Sequence, residues 1–433
     1  MSTLHFSIKE HKLAGQYVRE YPGALLDSQE DTLHLHVKQY MPLDKSNRRP
    51  GAVTIIGAHA NGFPKELYEP LWDDMYEALK QQGQAIAGIW IADAAHQGMS
   101  GVMNENKLGN DPSWMDHPRD LLHMINLFRK DMPRPLVGIG HSMGGAHLVN
   151  LSYMHPRLLS SLVLIDPVIL SARQSHPGDG DVVNTSVAQN STFRRDKWLS
   201  KAEAMSSLKR NPFYQTWDPR VLDLWVKYGL RKLPTPLYPG DSSDDSDSEA
   251  DDAPVTLTTT KHQEVFTFVR PKFGADGKIH VTRRTHPDLD MSIKDDYPFY
   301  RPEPNKTYDN LQHLRPGALY IFGGESELSK PEWCKAKMER TGMGLGGSGG
   351  AKEGRVKEVT FEKVGHLVPM IATEDCAKTA SEWLAEDLQR YREEEAEWRS
   401  EWDSKTRLQK TTVSKEWERN VGGNPRNKST QKL

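Results

Sequence analysis

The sequence predicts an α/β architecture: a mostly parallel central sheet, helices on both faces, and a helical cap inserted near the middle. Three observations carry this expectation. Short apolar runs recur at 52–57, 84–92, 136–139, 162–165 and 318–322, and 356–361 alternates like a strand, with helical stretches among them, the rhythm of a sheet covered on both faces. A serine flanked by glycines follows directly on one of those runs. Between residues 168 and 310 the strand–helix rhythm stops, as an insertion would make it.

In chain order, residues 33–40 alternate like an antiparallel strand, placing His34 and His36 on one face. Two histidines without a third ligand make no metal site, so a structural role is expected. Residues 52–57 form a strand, and His59-Ala60-Asn61-Gly62-Phe63-Pro64 follows as a loop. The run 84–92 is a buried strand ending at Asp93. Pro118, Arg119 and Asp120 open a helix whose Leu121, Leu122, Ile125 and Phe128 share a face. Asp93 and Asp120 therefore read as loop and helix-start residues. In the insertion, 198–208 and 221–230 are helical in pattern, and Phe213, Tyr214, Trp217 and Trp225 would line an acyl pocket that prefers longer chains.

The chemistry centres on Gly140-His141-Ser142-Met143-Gly144, placed after the run 136–139 and before Gly145-Ala146-His147-Leu148-Val149, which opens a helix. Strand, tight turn and helix with serine at the apex form the nucleophile elbow of the α/β-hydrolases, whose flanking glycines make room for the turn. Ser142 is thus the candidate nucleophile. Such a site needs two backbone N–H groups aimed at the developing oxyanion. Asn61, in the loop after the early strand, and Met143, next to the nucleophile, are the candidate donors. The plainer reading of that loop is a Gly-x-Pro turn closing a strand. His59 comes too early in the chain order to be the base and is read as structural.

The base comes last in this fold. Of 17 histidines, His366 in Val364-Gly365-His366-Leu367 has both the order and the setting, just after the strand 356–361. It would take the Ser142 proton and deliver it to the leaving group. The acid stays open. After the strand 318–322, where an aspartate commonly stands, the chain has Ser326 between Glu325 and Glu327. One strand earlier, Leu162-Val163-Leu164-Ile165 ends at Asp166, an arrangement similar to that of pancreatic-type lipases. Asp166 is the first choice, with Glu325 or Glu327 as the alternative acid; its plainer reading is a turn residue before Pro167.

Several separated segments agree in order with one group. His59–Tyr68, Ile89-Trp90-Ile91-Ala92-Asp93, Trp114-Met115-Asp116-His117-Pro118-Arg119-Asp120 and the Ser142 elbow resemble fungal peroxisomal lipases and the hydrolases of fungal host-selective toxin biosynthesis. The resemblance runs over residues 20–390. It implies Ser–acid–His chemistry on lipid-like esters and a peroxisomal address. The last residues, Gln431-Lys432-Leu433, approximate the S-K-L signal with Gln in the first place, so an import receptor is the expected partner. The alternative location is cytoplasmic.

Composition is consistent with this. With 56 basic and 59 acidic residues the net charge is −3, which provides no basic face for nucleic acid. The two cysteines, Cys334 and Cys376, provide no disulfide framework and suit a reducing compartment. The start has no basic segment leading into an apolar one, so no secretory signal is expected, and no apolar run is long enough to span a membrane. Residues 241–252 carry seven acidic side chains and are expected as a disordered linker. A regulatory phosphorylation site is the lesser reading there, and a calcium loop a poorer one still.

From Ser404 the chain is basic and polar, expected as a mobile arm beyond a charged helix over 386–399. The expected organisation is a first core part at 1–167, a cap at 168–310 with the acidic loop near 239–254, a second core part at 311–390, and a tail at 391–433. The expected function is ester hydrolysis (esterase or lipase) through an acyl-enzyme on Ser142, with no cofactor and no metal. The alternatives are a silent hydrolase-fold protein that binds a lipid or a protein partner, or a thioesterase or hydrolase of secondary metabolism.

Overall fold

The computed structural model describes residues 4–47, 49–171, 183–240, 253–291 and 297–422. The chain divides into two compact units, Met1–Ala385 and Glu386–Leu433. The strands in chain order are β1 (Phe6–Ala14), β2 (His34–Pro42), β3 (Val53–Ala58), β4 (Ile86–Ala92), β5 (Leu136–His141), β6 (Ser161–Ile165), β7 (Lys197–Trp198), β8 (Leu230–Lys232), β9 (Val255–Leu257), β10 (Arg270–Pro271), β11 (Phe299–Tyr300), β12 (Gly317–Gly323) and β13 (Val356–Phe361).

Eight of them form the central sheet in the order β1-β2-β4-β3-β5-β6-β12-β13. β1, β2 and β4 pair antiparallel, and every pair from β4 to β13 is parallel. The inner strands β3, β5, β6 and β12 are buried at every residue, which is why they read as unbroken apolar runs. β1 is a strand the sequence reading did not find. It is an edge strand, mostly solvated between Phe6 and Leu13, so it lacks an apolar signature.

The helices flanking the sheet in the first part of the unit are α1 (Glu69–Gln81), α2 (Gly98–Asn104), α3 (Asp116–Leu127) and α4 (Met143–Met154). The inserted region holds α5 (Val183–Phe193), α6 (Lys201–Arg210), α7 (Pro212–Gln215), α8 (Pro219–Tyr228) and α9 (Lys261–Phe268). It is less purely helical than expected: β9 pairs with both β7 and β8, and β10 pairs with β11. Trp198, expected in a helix, lies in β7, and α6 starts only after Ser200, whose side chain accepts from the Glu203 N–H. The helices after the cap are α10 (Glu303–Asn310), α11 (Pro331–Arg340), α12 (Val368–Ile371) and α13 (Thr373–Ser404).

The cap is held to the core by charged clamps. Arg220 of α8 makes a two-pronged contact with Asp74 of α1 at 2.7 and 2.8 Å, and Arg231 reaches Glu105 at 2.7 and 2.5 Å. Arg270 does the same to Asp111 at 2.6 and 2.7 Å. Beneath the cap lies a buried ion network. Lys65 Nζ is 2.6 Å from Asp93 and 2.9 Å from Glu66, and Lys38 reaches Glu66 at 3.3 Å and Glu69 at 3.4 Å. Burial raises the Glu66 carboxyl, but Lys65 and Lys38 outweigh it and bring it down to about 2.

In the second unit, α13 is followed by α14 (Arg407–Thr411) and α15 (Lys415–Asn420). The segment after Ser404 thus contains helical turns: Thr406 and Gln409 form a reciprocal capping box on α14, and Ser414 caps α15. Trp398 and Trp402 stack at 5.9 Å. The acidic stretch 241–252 and the terminal Gln431-Lys432-Leu433 lie outside the described residues. Among those that are described, no helix is long and apolar enough to cross a membrane.

Candidate active site

Ser142 sits between β5 and α4 with φ 57° and ψ −121°, a backbone state uncommon for a residue with a side chain. The structure holds it there. Its N–H donates to the Ile165 carbonyl at 2.9 Å, and its own carbonyl accepts from Gly145 and Val168 at 3.1 Å each. Gly144 makes the turn possible, since a Cβ there would overlap the Ala58 carbonyl. In this conformation the Ser142 side chain faces His366.

His366, in the loop after β13, places Nε2 2.8 Å from Ser142 Oγ and Nδ1 2.6 Å from Asp166 Oδ2. The three candidate groups expected from the sequence therefore meet in one hydrogen-bonded line. Asp166 is fully buried and caps the end of β6 with φ 39°. Its carboxylate also accepts from Ser326 Oγ at 2.5 Å, from the Gly323 N–H at 3.2 Å, and from Ser329 Oγ. Burial pushes this carboxyl up. The hydrogen bond and charge of His366, with the two serines, outweigh it and hold the carboxyl below its ordinary range.

Glu325 and Glu327 are exposed and do not reach His366, whereas Asp166 does. Ser326, whose presence made the acid ambiguous, turns toward Asp166 and serves it as a donor.

Asn61 lies 6% exposed in the loop after β3. Its neighbours' N–H groups are committed: Ala60 to Tyr68 Oη at 2.9 Å, Gly62 to Gln97 Oε1 at 2.8 Å, Phe63 to the Ala60 carbonyl at 3.2 Å. The Asn61 N–H has no such partner among the described residues. The Asn61 side chain anchors the loop, donating to the Glu264 carbonyl of α9 at 3.0 Å and accepting from Gln97 at 2.7 Å. Met143 provides the first N–H of α4, where the helix dipole favours negative charge. His59 is buried and structural: Nδ1 donates to the Ala60 carbonyl, and Nε2 accepts from the Ala94 N–H.

The cap aromatics cluster beside this loop. Trp217 stacks on Phe63 at 5.7 Å, and Phe213, Tyr214 and Trp225 follow in ring contact, with Phe213 half-exposed. Asp93 and Asp120 are salt-bridged, to Lys65 and Arg19. His34 and His36 join no metal cluster, and no group of three or more potential ligands occurs among the described residues. Sequence reasoning missed Gln97, Ser329, Tyr68 and His141. A glutamine or a serine in a loop carries no signal by itself, and His141 occupies the variable place of the elbow motif.

The Alpha/beta hydrolase family profile matches residues 55–380. The type I acyl-CoA thioesterase mpaH of Penicillium roqueforti is 43% identical over 426 residues, covering 96% of this chain and 95% of that protein. The abhydrolase domain-containing protein AFT2-1 of Alternaria alternata is 29% identical over 256 residues, covering 59% and 85%. Among solved structures, the peroxisomal alpha-beta-hydrolase Lpx1 of Saccharomyces cerevisiae shares the fold with a TM-score of 0.65 at 15% identity, covering 99% of both chains. An eight-stranded sheet with this topology, a family match over most of the chain and relatives alike along nearly their whole length establish that the chain is a hydrolase of the Alpha/beta hydrolase family.

Proposed function

We propose that this hydrolase cleaves acyl thioesters of the acyl-CoA type through an acyl-enzyme on Ser142. The observation that carries the reading is the line Ser142–His366–Asp166, at 2.8 and 2.6 Å, in a chain 43% identical to an acyl-CoA thioesterase. Ser142 Oγ attacks the thioester carbonyl while His366 Nε2 takes its proton. The Asn61 and Met143 N–H groups receive the oxyanion, and His366 returns the proton to the departing thiolate. Water, activated by the same imidazole, then releases the acid. Asp166 fixes the tautomer that leaves Nε2 free to accept, and it stabilises the imidazolium.

The test is turnover of an acyl-CoA series and of matched oxygen esters, with Ser142→Ala alongside. The reading predicts thioester hydrolysis that the variant loses by a factor on the order of 10³ or more. Oxygen esters turned over in preference would replace it with the esterase–lipase reading. Activity retained in the variant would overturn the nucleophile assignment. The address belongs to the same proposal: a peroxisomal import receptor grips Gln431, Lys432 and Leu433, whose Lys-Leu ending supports it. A reporter carrying the chain with Leu433→Asp should then stay cytoplasmic while the native sequence is imported.

A further inference from the structure

His141 precedes the nucleophile and is completely buried, yet both ring nitrogens are engaged. Nε2 lies 2.9 Å from the main-chain carbonyl of His366. A carbonyl only accepts, so Nε2 carries the proton and donates it there. Nδ1 is then an acceptor, and it faces Tyr68 Oη at 2.9 Å. That hydroxyl must donate to Nδ1, and its oxygen in turn accepts the Ala60 N–H at 2.9 Å. One imidazole thus ties the loop of the base, on one side of Ser142, to the residue before Asn61 on the other.

We propose that His141 is a positioning residue, bracing the His366 loop against the oxyanion loop through Tyr68 so that base and Asn61 N–H stay in register around Ser142. The proposal rests on the Ser142 acyl-enzyme reading. It requires a neutral ring of one tautomer. An extra proton on Nδ1 would oppose the Tyr68 hydroxyl proton and place a second positive charge beside His366, whose ring centre is 5.2 Å away. Burial, followed by the charge of His366, accordingly moves the His141 imidazole down to about 3. The ring therefore stays neutral throughout the ordinary working range while His366 gains and loses a proton.

The experiment measures kcat and KM for an acyl-CoA in His141→Phe, His141→Gln, Tyr68→Phe and the double variant His141→Phe/Tyr68→Phe, with fluorophosphonate labelling of Ser142 in each. Misplacing reacting groups by about 1 Å costs roughly 10²-fold. His141→Phe, which removes both contacts, should lower kcat by about 10- to 100-fold with KM changed less than about threefold. His141→Gln, whose amide can reach the His366 carbonyl, should recover part of the loss. Tyr68→Phe should cost less, and the double variant should be no worse than His141→Phe, because the two act in series.

Equal falls in melting temperature and activity with kcat per folded molecule unchanged, or additive losses in the double variant, would overturn the brace. Tyr68→Phe removes a single hydroxyl and carries the test if His141→Phe does not fold. Wild-type protein that fails to label at Ser142 would sink the acyl-enzyme reading itself, an outcome distinct from normal labelling with unaffected variants, which would sink the brace alone.

Discussion

Ser326 Oγ lies 2.5 Å from Asp166 Oδ2, the same oxygen that faces His366 Nδ1 at 2.6 Å. One carboxylate oxygen therefore serves His366 and a serine together, while Oδ1 takes the Gly323 N–H and Ser329. Removing the serine removes a donor to an ionised group, a loss of about 1.5–3 kcal/mol of stabilisation for the charge.

Ser326→Ala should therefore raise the Asp166 carboxyl toward its ordinary value. Because that carboxyl is depressed in the folded state, its contribution to stability is complete above the ordinary aspartate range and is lost as pH falls through the folded value. The variant should be less stable than wild type near neutral pH, with urea midpoints that converge on acidification as the carboxyl protonates in both. Superimposable profiles would contradict the assigned role of Ser326.

Asp166→Asn keeps the size of the side chain and removes its charge. The imidazole then loses the partner that fixes its tautomer, and kcat should fall by a factor on the order of 10⁴. Glu325→Gln and Glu327→Gln, both exposed, should change kcat by less than about twofold. Steady-state kinetics on the three variants checks both statements together. A large effect at either glutamate would reopen the choice of acid.

How much of this was legible beforehand follows from what each residue is constrained by. Ser142 stood out because Gly140 and Gly144 leave no room for a Cβ at the elbow, and His366 because chain order places it in the loop after the last strand. The strands β3, β5, β6 and β12 were readable because burial on both faces leaves only apolar residues. β1 was hidden, since an edge strand needs no apolar face. The acid was ambiguous because sequence reports which strand a carboxylate follows, and not where its side chain ends in space. Gln97, Tyr68 and His141 were silent for a related reason. Their partners lie 36, 73 and 225 residues away along the chain.

Gly144→Ala tests the packing of the elbow. The added Cβ would overlap the Ala58 carbonyl, a backbone atom of β3 that cannot turn aside. The variant should lose at least about 1–3 kcal/mol of stability by overpacking, and fluorophosphonate labelling should fall with it as Ser142 is displaced. Chemical denaturation together with labelling measures both.

Lys65→Met tests the buried ion network. Lys65 is completely buried between Asp93 and Glu66, so its loss leaves carboxylates in a dry site with fewer counter-charges. Breaking such a pair on one side costs about 3–5 kcal/mol. A urea midpoint within error of wild type would show that solvent reaches the network after the substitution.

β6 and β12 are neighbours, paired in register from Gly317 with Ser161 to Ile321 with Ile165, and the Asp166 N–H bonds to Ile321 at 2.7 Å. The two strands consequently open onto one small volume, and a side chain from either can fill it. Here the carboxylate arrives from the earlier strand and a hydroxyl from the later one. What the imidazole registers is a charge at a point, whichever strand delivers it. The strand that carries a carboxylate and the point where its charge acts are separable in this sheet.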